Sequence, residues 1–309
     1  MLKVALIQMS YKGSKEAMVA DTVTKIKEVA SSGAKLVVLQ ELHQGEYFCQ
    51  SEDTKFFEYA KSFKEDVAFW AGVSRDLDIV LVTSLFEQRA PGLYHNTAVV
   101  FDCGEVAGKY RKMHIPDDPG FYEKFYFTPG DLGFEPINTS VGRLGVLVCW
   151  DQWFPEAVRV MALKGAEVLI YPTAIGWFDS DSEDEKARQL DAWITVQRGH
   201  AIANGLPVIS CNRCGFEANN SGVIEGIRFW GNSFICGPQG EFLAQANEEE
   251  QNLVVELDLN RCKEVRDIWP FMRDRRVEYY GCLGKIYCDE TEYLLSSSNN
   301  KKRLLESIV

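Results

Sequence analysis

The chain has 309 residues, 46% of them hydrophobic, which is enough for one large domain or two ordinary ones and excludes a collagen-like or disordered chain. A formal net charge of -12, from 33 basic and 45 acidic side chains, argues against general affinity for nucleic acid or anionic membranes. No apolar run approaches the ~18 residues that a membrane-spanning helix needs.

In chain order, residues 2–9 read as a first strand, because MLKVALIQM lacks a long apolar stretch followed by a small-residue cleavage site. Val19, Val23, Ile26 and Ala30 recur at helical spacing and predict a helix over 16–31. The apolar run 35–40 is a short buried strand, and Glu41 follows it directly. Phe63, Val67, Trp70 and Ala71 mark a second helix, with strands at 78–86 and 92–102. A turn at Cys103 and Gly104 joins the latter to a strand at 104–111, and an aromatic loop runs through 115–131.

RLGVLVC at 143–149 reads as a strand that ends on Cys149. Pro155 suits the first turn of a helix over 155–164, and Gly165 suits its end. A strand at 167–171, a helix at 184–203 and strands at 207–211, 228–236 and 252–257 complete the pattern. The alternation predicts an α/β architecture with mixed sheets. No linker interrupts residues 1–290, which read as a single domain followed by a tail at 291–309.

Nine cysteines are too few for a disulfide-built scaffold, and their odd number leaves at least one unpaired within the chain. A reducing, cytoplasmic setting follows as the simplest expectation. Cys211 and Cys214 have a CxxC spacing, but no second pair or nearby histidine completes a zinc site, so they read as structural thiols.

Four side chains share a placement after strands. Cys149 sits where a buried strand gives way to a helix, a transition that can expose a nucleophile beside backbone N–H groups. Glu41 at its strand end is a candidate general base, Lys112 a candidate oxyanion stabiliser, and Glu123 a candidate orienting acid. Taken singly, each has an ordinary alternative: a buried apolar thiol, a solvated acid, an exposed lysine and a loop acid. Together they point to a thiol hydrolase.

At these residues the sequence resembles the nitrilase superfamily of carbon–nitrogen hydrolases, and within it the N-carbamoylputrescine amidohydrolases. The matching segments are LQELHQGEYFCQ at 39–50, GKYRKMHIPDDPGFYEKFYFTPGD at 108–131 and VCWDQWFPEAVRVMALKGAEVL at 148–169, supported by GNSFICGPQG at 231–240. The resemblance spans residues 2–290. It places the catalytic glutamate at Glu41, the lysine at Lys112, the nucleophile at Cys149 and the supporting glutamate at Glu123. It also implies a four-layer α-β-β-α sandwich, an oxyanion site at the Trp150 N–H, a homo-oligomer of two or more copies, and a route that needs no metal or organic cofactor.

The substrate class implied is a small carbamoyl amine. Relatives that hydrolyse carbamoyl-D-amino acids carry paired arginines shortly after the nucleophile, where this chain has Asp151, Gln152 and Trp153. A cationic tail instead needs carboxylates and an aromatic channel, for which Glu46, Trp153, Trp177 and Asp179 are candidates. His43–Glu46 is expected near the pocket entrance. An N-carbamoyl amino-acid hydrolase, an aliphatic amidase and a catalytically silent scaffold are the competing readings.

Overall fold

The structure is a computed structural model that describes residues 1–219, 221–222 and 224–288. The chain divides into two compact units, Met1–Trp269 and Pro270–Val309. In the second, the described residues hold two short 3-10 turns, Val277–Tyr279 and Gly281–Gly284. The expected tail at 291–309 lies outside the described residues.

The first unit opens with β1 (Leu2–Gln8), α1 (Lys15–Ser31), β2 (Leu36–Leu39) and α2 (Phe63–Leu77). A meander follows: β3 (Val80–Ala90), β4 (Leu93–Asp102) and β5 (Glu105–Arg111). The short helix α3 (Glu123–Tyr126) leads to β6 (Ile137–Thr139), β7 (Gly142–Val146) and α4 (Pro155–Leu163). Next come β8 (Val168–Thr173), β9 (Gly176–Trp177), α5 (Glu183–Asn204) and β10 (Val208–Asn212). The unit closes with β11 (Cys214–Ala218), β12 (Gly226–Trp230), β13 (Phe234–Cys236), β14 (Phe242–Gln245), β15 (Gln251–Leu257) and α6 (Leu259–Ile268).

Two six-stranded sheets result, ordered β15-β1-β2-β3-β4-β5 and β14-β13-β10-β8-β7-β6, with a small third sheet β11-β12-β9. The strands β1, β2 and β3 are parallel, as are β7, β8 and β10. Parallel strands covered on both faces read as unbroken apolar runs, which is why LVVL of β2 and VLIYPT of β8 are buried throughout. Met18, Ile26 and Val29 of α1 and Trp70 of α2 cover the outer face of the first sheet, against Ile7, Val37 and Leu81. Helices α4 and α5 lie against β7 and β10, while β1, β2 and β3 meet β10 and β8 across the middle. The layers are therefore α-β-β-α, as expected. No helix among the described residues is long and apolar enough to cross a membrane.

Helix ends follow local chemistry. Ser14 caps α1 by accepting from the Ala17 N–H, and Ser182 caps α5 by accepting from the Glu185 N–H. Acids at Glu183, Asp184 and Glu185 suit the positive end of α5. One expectation fails: residues 228–236 are two strands in different sheets. The chain breaks at Gly231 and Asn232, both at positive φ, so β12 and β13 diverge. The 3-10 segment Thr54–Ser62 and helix α6 also lack a counterpart in the sequence reading.

Candidate active site

Glu41, Lys112, Glu123 and Cys149 come from four separate segments. The Glu41 side chain is carried just past β2, where its backbone N–H donates to the Thr173 carbonyl at 3.3 Å. Lys112 follows β5, and its N–H is held by the Asn96 carbonyl at 2.9 Å. The chain at Gly130 lies so close that a Cβ there would stand 2.0 Å from the Arg111 carbonyl oxygen, so only glycine fits. Glu123 opens α3, and Cys149 opens a 3-10 turn spanning Cys149–Trp153.

The Lys112 ammonium bridges two carboxylates, 2.8 Å from Glu41 Oε1 and 2.6 Å from Glu123 Oε2. All three side chains are fully buried. Burial opposes the charge on Lys112, but Glu123 and Glu41 outweigh it and hold the ammonium well above its ordinary range. Burial also raises the Glu123 carboxyl, against the pull of Lys112 and with Glu41 adding repulsion. Tyr47 donates its hydroxyl to Glu123 Oε1 at 2.7 Å, and Asn96 donates from Nδ2 to Glu41 Oε1 at 2.6 Å. Glu41 Oε2 is buried and receives no hydrogen bond among the described residues, which leaves it an acceptor for a proton.

Cys149 has φ +45°, a left-handed conformation that a non-glycine residue pays strain to adopt. Its thiol donates weakly to the Ala174 carbonyl at 3.7 Å. Burial, reinforced by Glu41, pushes the thiol well above its ordinary range, while Lys112 pulls it down. For this sulfur to act as a nucleophile, a base would have to take its proton. The Trp150 N–H stands in the first turn of the 3-10 segment, where helix-start donors have no intrahelical acceptor.

Asp151 ties the turn at Cys149 to the segment around Lys112. Its fully buried carboxylate accepts from Val148 N at 2.9 Å and Tyr110 OH at 2.9 Å through Oδ2. Through Oδ1 it accepts from His114 N at 3.0 Å, and His114 Nδ1 lies 2.7 Å away. A second brace is Arg213, fully buried and paired with Glu217 at 2.6 Å. Its guanidinium donates to the Leu42 and Gly45 carbonyls at 2.9 Å each, and Glu217 accepts from Tyr47 N at 2.7 Å. This pair holds the loop that carries both Glu41 and Tyr47. Tyr47 and Asp151 fall inside the family-like segments, but nothing in their spacing marks them; Asn96 and Arg213 carry no local signal.

A cavity of about 460 Å³ opens beside Cys149 and Glu123. Trp150, Trp153, Trp177 and Trp230 form much of its wall, so Trp153 and Trp177 stand where the sequence reading wants them. Two other candidates do not. Glu46 lies on separate cavities and accepts from Tyr59 OH at 2.8 Å. Asp179 lies on another cavity, bound by Arg228 at 2.6 and 2.7 Å. The His43–Glu46 segment is not at this cavity's mouth: His43 is fully buried against Trp70, and Gln44–Glu46 line the separate cavity beside α1. Asp118 and Asp181 are the cavity's remaining carboxylates. All nine cysteines are free, and Cys211 and Cys214 are buried in the interior.

A four-layer α-β-β-α sandwich with a buried cysteine and glutamate on one pocket, and a lysine bridging that glutamate to a second, defines a cysteine-dependent hydrolase of carbon–nitrogen bonds. The carbon-nitrogen hydrolase family model matches residues 3–267, and the chain belongs to that family. It is 43% identical to an N-carbamoylputrescine amidase of Oryza sativa subsp. japonica over 84% of this chain and 86% of the relative. It is 39% identical to a citrullinase of Francisella tularensis subsp. tularensis over 90% of this chain and 96% of the relative. A solved carbon-nitrogen hydrolase from Helicobacter pylori G27 superposes with a TM-score of 0.92 at 57% identity, covering 93% of this chain and 99% of that one.

Proposed function

We propose that the protein hydrolyses N-carbamoylputrescine to putrescine, carbon dioxide and ammonia. The observation that carries this reading is the buried Glu41–Lys112–Glu123 cluster, whose Glu123 lines an aromatic cavity together with Cys149. The likeness to plant N-carbamoylputrescine amidases supports the substrate.

In this mechanism Glu41 Oε2 accepts the Cys149 proton as the sulfur attacks the carbamoyl carbon. Lys112 and the Trp150 N–H stabilise the oxyanion. The C–N bond to the terminal nitrogen breaks, Glu41 returns the proton, and ammonia leaves. Water then attacks the carbamyl-thioester with Glu41 as base, and the thiol is released. The resulting carbamate loses carbon dioxide to give the free amine. Glu123 holds Lys112 in place and takes no proton in the cycle. We also propose a working homo-oligomer, on the strength of the family resemblance.

The relationship to a citrullinase raises a second reading, a carbamoyl amino acid as substrate. Such a tail carries a carboxylate, which a cation must bind. Among the described residues no lysine or arginine lines the cavity, and two carboxylates without ion pairs do, so the lining favours an ammonium tail. Purified protein supplied with N-carbamoylputrescine is expected to release ammonia and putrescine in equal amounts. Faster turnover of citrulline or N-carbamoyl-β-alanine would overturn the assignment.

A further inference from the structure

The three carboxylates on the Cys149 cavity differ in how their charge is met. Glu123 is bound by Lys112 at 2.6 Å. Asp118 is exposed to solvent. Asp181 is half-buried and makes no ion pair among the described residues. Two positions earlier, Asp179 has its charge matched by Arg228 and faces a different cavity.

Asp181 is also held in one orientation. Its N–H donates to the Phe178 carbonyl at 3.0 Å, and its Oδ2 accepts from Phe178 N at 3.1 Å. This reciprocal pair fixes the carboxylate before any ligand arrives, which lowers the ordering cost of binding. Trp153, Trp177, Phe178 and Trp230 line the same cavity. Aromatic faces attract cations, and a carboxylate beside low-dielectric walls attracts them more strongly than one in open water.

We propose that Asp181 binds the distal ammonium of the substrate and so sets the preference for cationic over neutral carbamoyl compounds. The inference rests on the carbamoyl-diamine reading above and adds the residue that enforces it. The aromatic side chains enclose the methylenes, Cys149 meets the carbamoyl end, and Asp181 meets the other end.

The test compares N-carbamoylputrescine with pentylurea, in which a methyl group replaces the ammonium. The readout is the ratio of kcat/KM for the two compounds within each enzyme, which cancels any loss of folded protein. Wild type is expected to favour the cationic compound at least about 30-fold. Asp181→Asn keeps an acceptor for Phe178 N–H and removes the charge; it should shrink the ratio roughly 10- to 100-fold, mainly through KM. Asp181→Ser, which also keeps a short acceptor, should do the same. A wild-type ratio near one would sink the diamine reading and this proposal with it. A large wild-type ratio that survives in both Asp181 variants, or that collapses in Asp118→Asn instead, would overturn Asp181 alone.

Discussion

The Lys112 ammonium lies 2.8 Å from Glu41 Oε1 at a point where neither side chain meets solvent. One cation there serves two carboxylates, so removing Lys112 strands negative charge in the interior. Glu41→Gln preserves shape but removes the proton acceptor; Lys112→Ala removes the positive charge beside the oxyanion. Each is expected to slow single turnover at least about 100-fold. Lys112→Ala should also cost about 3–5 kcal/mol of stability, seen in denaturant unfolding, because Glu41 and Glu123 lose their partner. A near-native single-turnover rate in either variant removes that residue from the mechanism. Glu123→Gln should impair turnover as well, through Lys112.

Cys149→Ala is expected to fold and to be inactive, since no other sulfur stands at the strained turn of the cavity. Cys211→Ala and Cys214→Ala should retain appreciable activity. Cys211 Sγ donates to the Ile7 carbonyl at 3.2 Å, inside the sandwich and away from the cavity lining. Mass spectrometry of a trapped adduct on wild type but not on Cys149→Ala checks the nucleophile directly. Normal turnover by a folded Cys149→Ala protein would refute it.

Asp151 gathers its contacts from the segments that carry Lys112 and Cys149. Asp151→Asn turns one oxygen into a donor that faces other donors. The expected result is a drop in kcat of roughly 10- to 100-fold with KM little changed, because the reacting groups are displaced and the cavity is not. Tyr110→Phe loses one of these bonds and should cost about 1 kcal/mol in stability. If Asp151→Asn raises KM and leaves kcat alone, the carboxylate acts on substrate binding instead of alignment.

His43 sets a pH dependence of stability. Burial holds its imidazole down at about 3, against an ordinary 6.5, with Arg213 and Lys15 adding to the depression and the Ser84 carbonyl opposing it. Below pH 6.5 the unfolded chain takes up a proton that the folded chain refuses, so stability falls with acidification until about pH 3. Between pH 8 and 5 this term amounts to about 2 kcal/mol. Chemical denaturation of wild type and His43→Asn at both pH values measures it. Equal losses in the two proteins contradict the assignment.

Static light scattering over a wide concentration range should show a homo-oligomer at working concentration. An active monomer throughout would count against it.

The apolar runs, caps and breakers along this chain were sufficient for most of the elements. The runs at 35–40 and 167–171 read as strands, Leu36–Leu39 and Val168–Thr173 are buried strands, and Gly165 and Gly205 mark the ends of α4 and α5. Together with the family-like segments, the same reading located Glu41, Lys112, Glu123 and Cys149, because each follows or ends a recognisable element. It set Glu46 and Asp179 beside the pocket, whereas the fold puts them on other cavities, where Glu46 accepts from the Tyr59 hydroxyl and Asp179 pairs with Arg228. It also could not see the contacts made by Asn96, Asp151 and Arg213. A carboxylate's role depends on which cations and donors the fold brings within a few ångströms, and those partners are set by sheet register and layer packing. Composition and spacing decide which segments become strands and which residue types are available for chemistry. Only the tertiary structure decides which charges are paired, and so which are left to meet a substrate.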